Sequence, residues 1–391
     1  MTRVLPGGTI GILGGGQLAR MLAIEGRRMG YRIAILDQQP QGPAAQLADV
    51  HIAGAFDDVD AAERLAHDSD VLTLDTEHVP AEILERLEAV KPVRPAARIL
   101  RIVQDRLEQR RFLDALGAPQ VRYAPVTAEA ESLRAAALLE FPAVLKTRRS
   151  GYDGKGQVRV ADPRDLADAL QNLGRVPSIL ETLVDFDKEI SVLLARDLDG
   201  NVRFYSIAEN VHRRHVLRMS RVPARISPQM SAEAEGLGAH IASALGHVGM
   251  LAIELFVTQQ GGLLVNEIAP RTHNSGHYSF GACATSQFEQ HIRAVCGLPL
   301  GDPSLLRPAV MLNLLGDLWA KGSPDWTPVL SQPAAHLHLY GKERASPGRK
   351  MGHILVLGDD VEQAGALAET IEAALERSVS TCEVRHGAGR G

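Results

Sequence analysis

Cysteine is scarce in this chain: Cys283, Cys296 and Cys382 are the 3 thiols in 391 residues. They are odd in number and lack metal-ligand spacing, which excludes a disulfide framework and a structural zinc site. Long apolar runs are also missing, and none approaches the roughly 20 residues needed to span a bilayer. An excess of one charge is absent too, because signs are interspersed and the net charge is only -5. That leaves no basic stripe for a polyanion, so neither nucleic acid nor a membrane is an expected partner. The first residues, Met1-Thr-Arg-Val-Leu-Pro, run into an apolar strand without a signal-like core, and a cytoplasmic location is expected.

What the chain does have is a hydrophobic content of 45% and a charged content of 23%, those of a globular protein with two or three domains. From Thr9 to about Pro95, short apolar runs alternate with helical patterns. Strands at Thr9–Leu13, Arg32–Asp37 and Val71–Asp75 and helices near Gln17–Met29 and Val59–His67 predict a Rossmann-like βαβ series with a parallel sheet. A helix near Gln104–Leu116 follows, stopped by Gly117 and Pro119. The middle of the chain carries longer strands around Pro142–Lys146, Glu189–Ala195 and Val202–Ala208, an α+β pattern with an antiparallel sheet. Strands at Met311–Leu315, His336–Tyr340 and Ile354–Leu357 and a helix at Val361–Glu376 close the chain. The fold class is therefore α/β and α+β, divided as 1–104, 105–305 with a lid around 120–185, and 306–391.

Residues 251–271 are the most informative stretch. Two apolar, β-branched runs flank Gln259-Gln260-Gly261-Gly262, a hairpin signal. If Gln260 and Gly261 form a two-residue loop, Glu254 faces Glu267. Directly opposed side chains lie roughly 4.5–5.5 Å apart at Cβ, where two bare carboxylates repel. A divalent cation between them removes that cost, and Mg²⁺ favours a few carboxylates plus phosphate oxygens. The pair points to a Mg-nucleotide site, and its apolar neighbours predict a dry one.

Two glycine-rich segments add to this. Gly14-Gly15-Gly16-Gln17-Leu18-Ala19 follows the first strand and opens a helix, with Asp37 at the end of the second strand. That arrangement suits a dinucleotide, a phosphorylated metabolite, or nothing beyond a tight turn. Gly151-Tyr152-Asp153-Gly154-Lys155-Gly156-Gln157 lies instead between two strands, just after Lys146. Three glycines in six residues form a hairpin whose amides can close over phosphates, with Lys155 adding charge.

Taken together, Lys146, this lid loop, Glu181-Thr182-Leu183-Val184, Glu189, Glu254 and Asn266-Glu267 resemble the ATP-grasp fold. Over nearly its whole length the chain is similar to the 5-(carboxyamino)imidazole ribonucleotide synthase family within it. Gly14–Leu18, Gln104–Arg106, Pro270–His277, His338–Lys342 and Gly348–His353 carry that resemblance. It implies a homodimeric ligase that uses ATP, Mg²⁺ and bicarbonate to carboxylate 5-aminoimidazole ribonucleotide in purine biosynthesis, through carboxyphosphate.

By that resemblance Arg106, Lys146 and Lys155 contact the ATP phosphates, and the lid loop Gly151–Gln157 closes over them. The backbone of Glu181, Thr182, Leu183 and Val184 binds adenine, Glu189 holds the ribose, and His212 and Asn266 complete the nucleotide site. Glu254 and Glu267 ligate Mg²⁺. Tyr152 and Asp153 reach the imidazole, and Asp153 serves the substrate amine. Arg271, His273 and Asn274 meet bicarbonate. Gly15, Gly16, Gln17, Leu18 and Glu77 belong to the ribonucleotide site, with Lys342 and Arg349 on its phosphate. Two positions depart from the pattern. Ala269 replaces a usual asparagine ligand, and His78 follows Glu77 where asparagine is usual.

Competing readings are another ATP-grasp ligase, such as a biotin carboxylase or glycinamide ribonucleotide synthetase, an NAD-dependent dehydrogenase built on residues 9–75, and a non-catalytic nucleotide-binding regulator. Residues 338–353 argue against the first, and the Glu254-Glu267 hairpin against the second. A regulator has no need of Lys146, both glutamates and the lid together. Alternation of His336 and His338 on one strand raises a metal site, although two histidines without a third ligand are more often packing or surface residues.

Overall fold

In the computed structural model, residues 3–126, 135, 137–151 and 154–381 are described, without the side chains of 378–381. The first four strands, β1 (Thr9–Leu13), β2 (Arg32–Leu36), β3 (Val50–Ile52) and β4 (Val71–Leu74), form a parallel sheet in the order β3-β2-β1-β4. Every residue of β1 and β4 is buried. A parallel strand covered by helices on both faces needs such a continuous apolar run.

A second, antiparallel sheet holds β5 (Tyr123–Val126), β6 (Ala143–Thr147), β7 (Gln157–Val160) and β8 (Ser178–Thr182) in the order β5-β8-β6-β7. The third sheet is the largest. It contains β9 (Phe186–Arg196), β10 (Val202–Phe204), β11 (Ala208–Arg213), β12 (Val216–Val222), β13 (Gly249–Thr258), β14 (Leu263–Ala269), β15 (Ala309–Leu315), β16 (Ala335–Leu339) and β17 (Lys350–Leu357). Its order is β14-β13-β9-β11-β12-β15-β17-β16, with β10 on β9. The last three strands thus continue the central sheet, because β12 pairs with β15 from Met219–Leu312 to Val222–Ala309. The C-terminal block shares a sheet and a hydrophobic core with the middle of the chain.

Two local devices set the geometry of the cleft. Helix Arg106–Ala115 starts at Asp105, whose carboxylate caps the Leu107 amide and takes a two-point salt bridge from Arg148 at 2.9 and 2.7 Å. That bond ties the helix to the root of the lid loop. The β13-β14 hairpin is the other device. Its loop has three residues, not two: Thr258 and Gly262 close it, and Gly261 sits at φ 80, where glycine is favoured. Near the loop, partners run Val257–Leu263, Phe256–Leu264 and Leu255–Val265, one residue out of the expected register. A bulge then leaves Asn266 over, and Glu254 pairs with Glu267 after all. A bulge sets two residues of one strand against one of the other. Consecutive Asn266 and Glu267 can therefore both serve the site that Glu254 faces.

Candidate active site

Between the lid sheet and the central sheet lies a cleft of about 1030 Å³. Its lining brings together Arg106, Lys146, Gly151, Gly154, Lys155, Gln157, Glu181, Thr182, Leu183, Val184, Glu189, His212, Glu254, Asn266 and Glu267, with Glu77, Arg271, His273 and Asn274 at one end. Tyr152 and Asp153 lie outside the described residues. Gly15, Gly16, Gln17, Leu18, Lys342 and Arg349 do not line this cleft.

Lys146, next to last in β6, lies 2.6 Å from Glu181, which Arg110 also contacts at 2.7 Å. Burial alone would raise the Glu181 carboxyl, but the two cations hold it well below its ordinary range. Thr182 and Leu183 donate their amides to the carbonyls of Arg122 and Pro142, so strand pairing ends at Val184. Beside it Phe186 stacks on Phe256 at 4.8 Å, while Leu183 stays 39% exposed. These make an apolar wall that suits a purine ring. Thr182 lines the same space, and its hydroxyl is buried without a hydrogen-bond partner. Glu189 lies 2.8 Å from His212. Burial would lower that imidazole, but the Glu189 carboxylate outweighs it and raises it.

Glu254 is the titration anomaly of the cleft. Burial first, and the facing Glu267 second, push its carboxyl up to about 7. The expectation of a dry site holds for one partner only. The Glu254 side chain is 18% exposed, whereas Glu267 is 48% exposed and has Arg106 3.7 Å away. The pair opens onto the cleft, the side from which further ligands can enter. No group of three His, Cys, Asp or Glu among the described residues could cage an ion. Two opposed carboxylates in a cleft also lined by Lys146 and Lys155 nevertheless fit Mg²⁺, which takes its remaining ligands from phosphate and water.

At the far end, Arg271 lies 2.8 Å from Glu77. His273 is 3.6 Å from Glu254, and its imidazole is held well below its usual range by burial and then by Arg271, so it is neutral. The Asn274 amide exchanges two hydrogen bonds with Asn313, 3.0 and 2.5 Å, and its side chain is thereby committed to holding the 270–277 loop in place.

The N-terminal glycine loop spends most of its amides inside the protein. Gly15 donates to Asp37, and Gly16 and Ala19 donate to Asp75. A Cβ on Gly14 would sit 1.7 Å from Asp75, and one on Gly15 2.7 Å from Asp37. These glycines admit carboxylates, and the first-turn amides of Gln17 and Leu18 are what the helix offers a ligand. The same bond occupies the acidic residue on which a dinucleotide reading depends. Lys342 and Arg349 turn back onto their own loop, donating to the carbonyls of Lys350 and Arg344 at 2.5 and 2.7 Å, and Lys350 is the basic residue of this loop that lines the cleft. Gln46 bridges Arg20 on the first helix to the Gly341 carbonyl, which ties this loop to the helix that the glycine loop opens. His338 stacks on His353 at 4.4 Å, while His336 is exposed, and no group of three His, Cys, Asp or Glu that could hold a metal forms around them among the described residues.

Sequence reasoning missed Phe186, Phe256 and Arg110, and it read Lys350 only as part of a basic turn with Lys342 and Arg349. Phe186 stands two residues past the adenine segment and Lys350 one past Arg349, so proximity to a motif was the available signal. Arg110 gave none, since an arginine in Glu108-Gln-Arg-Arg111 reads as a solvated helix face.

A lid sheet and a central sheet clasping a lysine-lined, carboxylate-floored cleft define the ATP-grasp class. The chain matches the ATP-grasp domain over residues 111–288, the ribonucleotide synthetase preATP-grasp domain over 8–104 and the phosphoribosylaminoimidazole carboxylase C-terminal domain over 309–367. It is 45% identical over 355 residues to the N5-carboxyaminoimidazole ribonucleotide synthase of Brucella melitensis, covering 90% of this chain and 97% of that one. The Bacillus subtilis enzyme of the same name is 42% identical over 351 residues, 90% and 92% of the two chains. A crystal structure of an N5-carboxyaminoimidazole ribonucleotide synthetase with ADP superposes with a TM-score of 0.90 at 41% identity, covering 97% of this chain and 100% of that one. An Aspergillus clavatus N5-carboxyaminoimidazole synthase with ADP and 5-aminoimidazole ribonucleotide reaches 0.87 at 31% identity over 95% and 99%. The chain belongs to the N5-carboxyaminoimidazole ribonucleotide synthase family. No helix among the described residues is long and apolar enough to cross a membrane.

Proposed function

We propose that this protein carboxylates the amine of 5-aminoimidazole ribonucleotide with bicarbonate at the expense of ATP, as a cytoplasmic homodimer acting in purine biosynthesis. The observation that carries the reading is the convergence in one cleft of the Glu254-Glu267 pair, Lys146 and the Phe186-Phe256 wall. Bound Mg-ATP supplies the phosphoryl group that activates bicarbonate. The chain's own residues then orient and neutralise. Lys146, Lys155 and Arg106 offset phosphate charge, and Glu254 and Glu267 hold the cation. The apolar wall and the backbone at Val184 take the adenine, while Glu189, 2.8 Å from His212, accepts from the ribose. Arg271 offers a cation to bicarbonate, with neutral His273 next to it as a hydrogen-bonding group and Lys350 adding charge. Asp153 serves the amine. The ribonucleotide occupies the crevice between Gln17-Leu18 and the 341–350 loop, next to Glu77, with Lys342 and Arg349 freed from their carbonyls to meet its phosphate.

Release of phosphate from ATP, Mg²⁺ and bicarbonate tests the reading. Turnover stimulated by 5-aminoimidazole ribonucleotide is expected, and an unstimulated or absent ATPase would overturn it.

A further inference from the structure

Behind the cleft, and not among its lining residues, Arg110 is almost fully enclosed on helix Arg106–Ala115, with its side chain 3% exposed. Its guanidinium reaches three things at once. Nε donates to Glu181 at 2.7 Å, Nη1 to the Val265 carbonyl at 2.9 Å, and Nη2 to the Asn266 carbonyl at 3.0 Å. The other oxygen of Glu181 holds Lys146. Val265 and Asn266 are the residues at the bulge that brings Glu267 opposite Glu254. β14 is the edge of the named sheet, flanked here only by the 119–120 segment, where the Val265 amide donates to the Pro119 carbonyl and Gln120 bridges Val265, and a buried carbonyl that loses a donor is costly.

We infer that Arg110 is the positioning residue that couples the phosphate-binding lysine to the metal-binding bulge. Its planar fork meets two adjacent carbonyls and a carboxylate together, which the single ammonium of a lysine cannot do. One arm fixes where Lys146 presents its charge and the other fixes the register of Glu267. The phosphate and cation sites, on different sheets, are thus set by one side chain.

The inference rests on the Mg-nucleotide reading of the cleft, and the test separates the two. Phosphate release is measured against Mg²⁺ concentration, ADP affinity without Mg²⁺ by calorimetry, and thermal melting alongside. Arg110→Lys keeps a cation against Glu181 but loses at least one carbonyl bond. Its Mg²⁺ midpoint should rise about tenfold, the value of one charge-assisted hydrogen bond, with Mg-free ADP affinity within about threefold of wild type. Arg110→Met should lose both; if it does not fold, the lysine variant decides. An unchanged Mg²⁺ midpoint in Arg110→Lys overturns the inference. So does an equal loss of both affinities in step with a lower melting temperature, which is the mark of a purely structural residue. A wild-type protein whose ATP turnover needs no Mg²⁺ overturns the Mg-nucleotide reading itself and the inference with it.

Discussion

Replacing Glu267 with glutamine changes the charge of the carboxylate pair while keeping its shape, and the consequences for stability and catalysis differ in sign. Without ligand, Glu267 repels Glu254 across the register pair. At a Cβ separation near 5 Å, an effective dielectric constant of about 20 gives an upper bound of roughly 3 kcal/mol. Glu267 is 48% exposed, so screening brings this down to about 1 kcal/mol. The lost contact to Arg106 at 3.7 Å is worth less than about 1 kcal/mol at such exposure. Glu267→Gln should therefore melt at or slightly above the wild-type temperature. Ligand binding reverses the balance. At a hundredfold excess over Kd, Mg-ADP stabilises wild type by about 2.7 kcal/mol, and the variant should keep only the part that ADP gives without metal. Phosphate release at saturating ATP should fall at least a hundredfold, equivalent to about 2.7 kcal/mol of lost charge neutralisation. Turnover within threefold of wild type would refute the metal assignment, and a melting temperature several degrees lower would show that Glu267 is structural.

Three further outcomes are expected. Gly15→Val places its Cβ 2.7 Å from Asp37; it should raise the Michaelis constant for the ribonucleotide far more than that for ATP, and equal rises, or tight NADH binding by fluorescence, would contradict the role given to the N-terminal loop. Asp153→Ala should keep ATP affinity but lose the stimulation of ATP hydrolysis by 5-aminoimidazole ribonucleotide, and a wild-type stimulation ratio at any absolute rate would eliminate that coupling. Glu181 has a folded pKa depressed below its model-compound value of 4.5, so it contributes stability that is present above that value and is lost as pH falls below it towards the folded pKa; Glu181→Gln should flatten the acid limb of melting temperature against pH, and parallel limbs would show that the pairs with Lys146 and Arg110 add nothing.

Elements whose signal is periodicity were readable from sequence. The runs of β1, β4 and β13 are apolar because helices or a neighbouring sheet cover them, and that demand shows in any window of residues. Less readable were features made by contacts distant in sequence. Asp75 reads as an ordinary strand end, yet it fills the glycine loop from 59 residues away, and burial pushes its carboxyl up to about 6. Phe256 reads as a core residue of β13, but the pleat turns it to the cleft, where Phe186 meets it.

The metal hairpin shows why a correct pairing can be reached through the wrong local structure. A three-residue loop by itself sets Glu254 against Asn266 and turns Glu267 to the opposite face, since one residue of slip reverses a strand's faces. The bulge adds one residue to the same strand and restores the pair. Loop length and bulge are two errors of opposite sense in the simplest reading, and they cancel. The cancellation reflects the chemistry of the site. The proposed cation site needs both carboxylates on one face, and any combination of loop and bulge that meets this condition serves. The hairpin with a bulge gives something that a regular two-residue hairpin does not: Asn266 beside Glu267 in the same cleft, with two carbonyls turned towards Arg110. Opposed acidic residues in the sequence reveal the condition, while the device that meets it depends on an arginine more than 150 residues away.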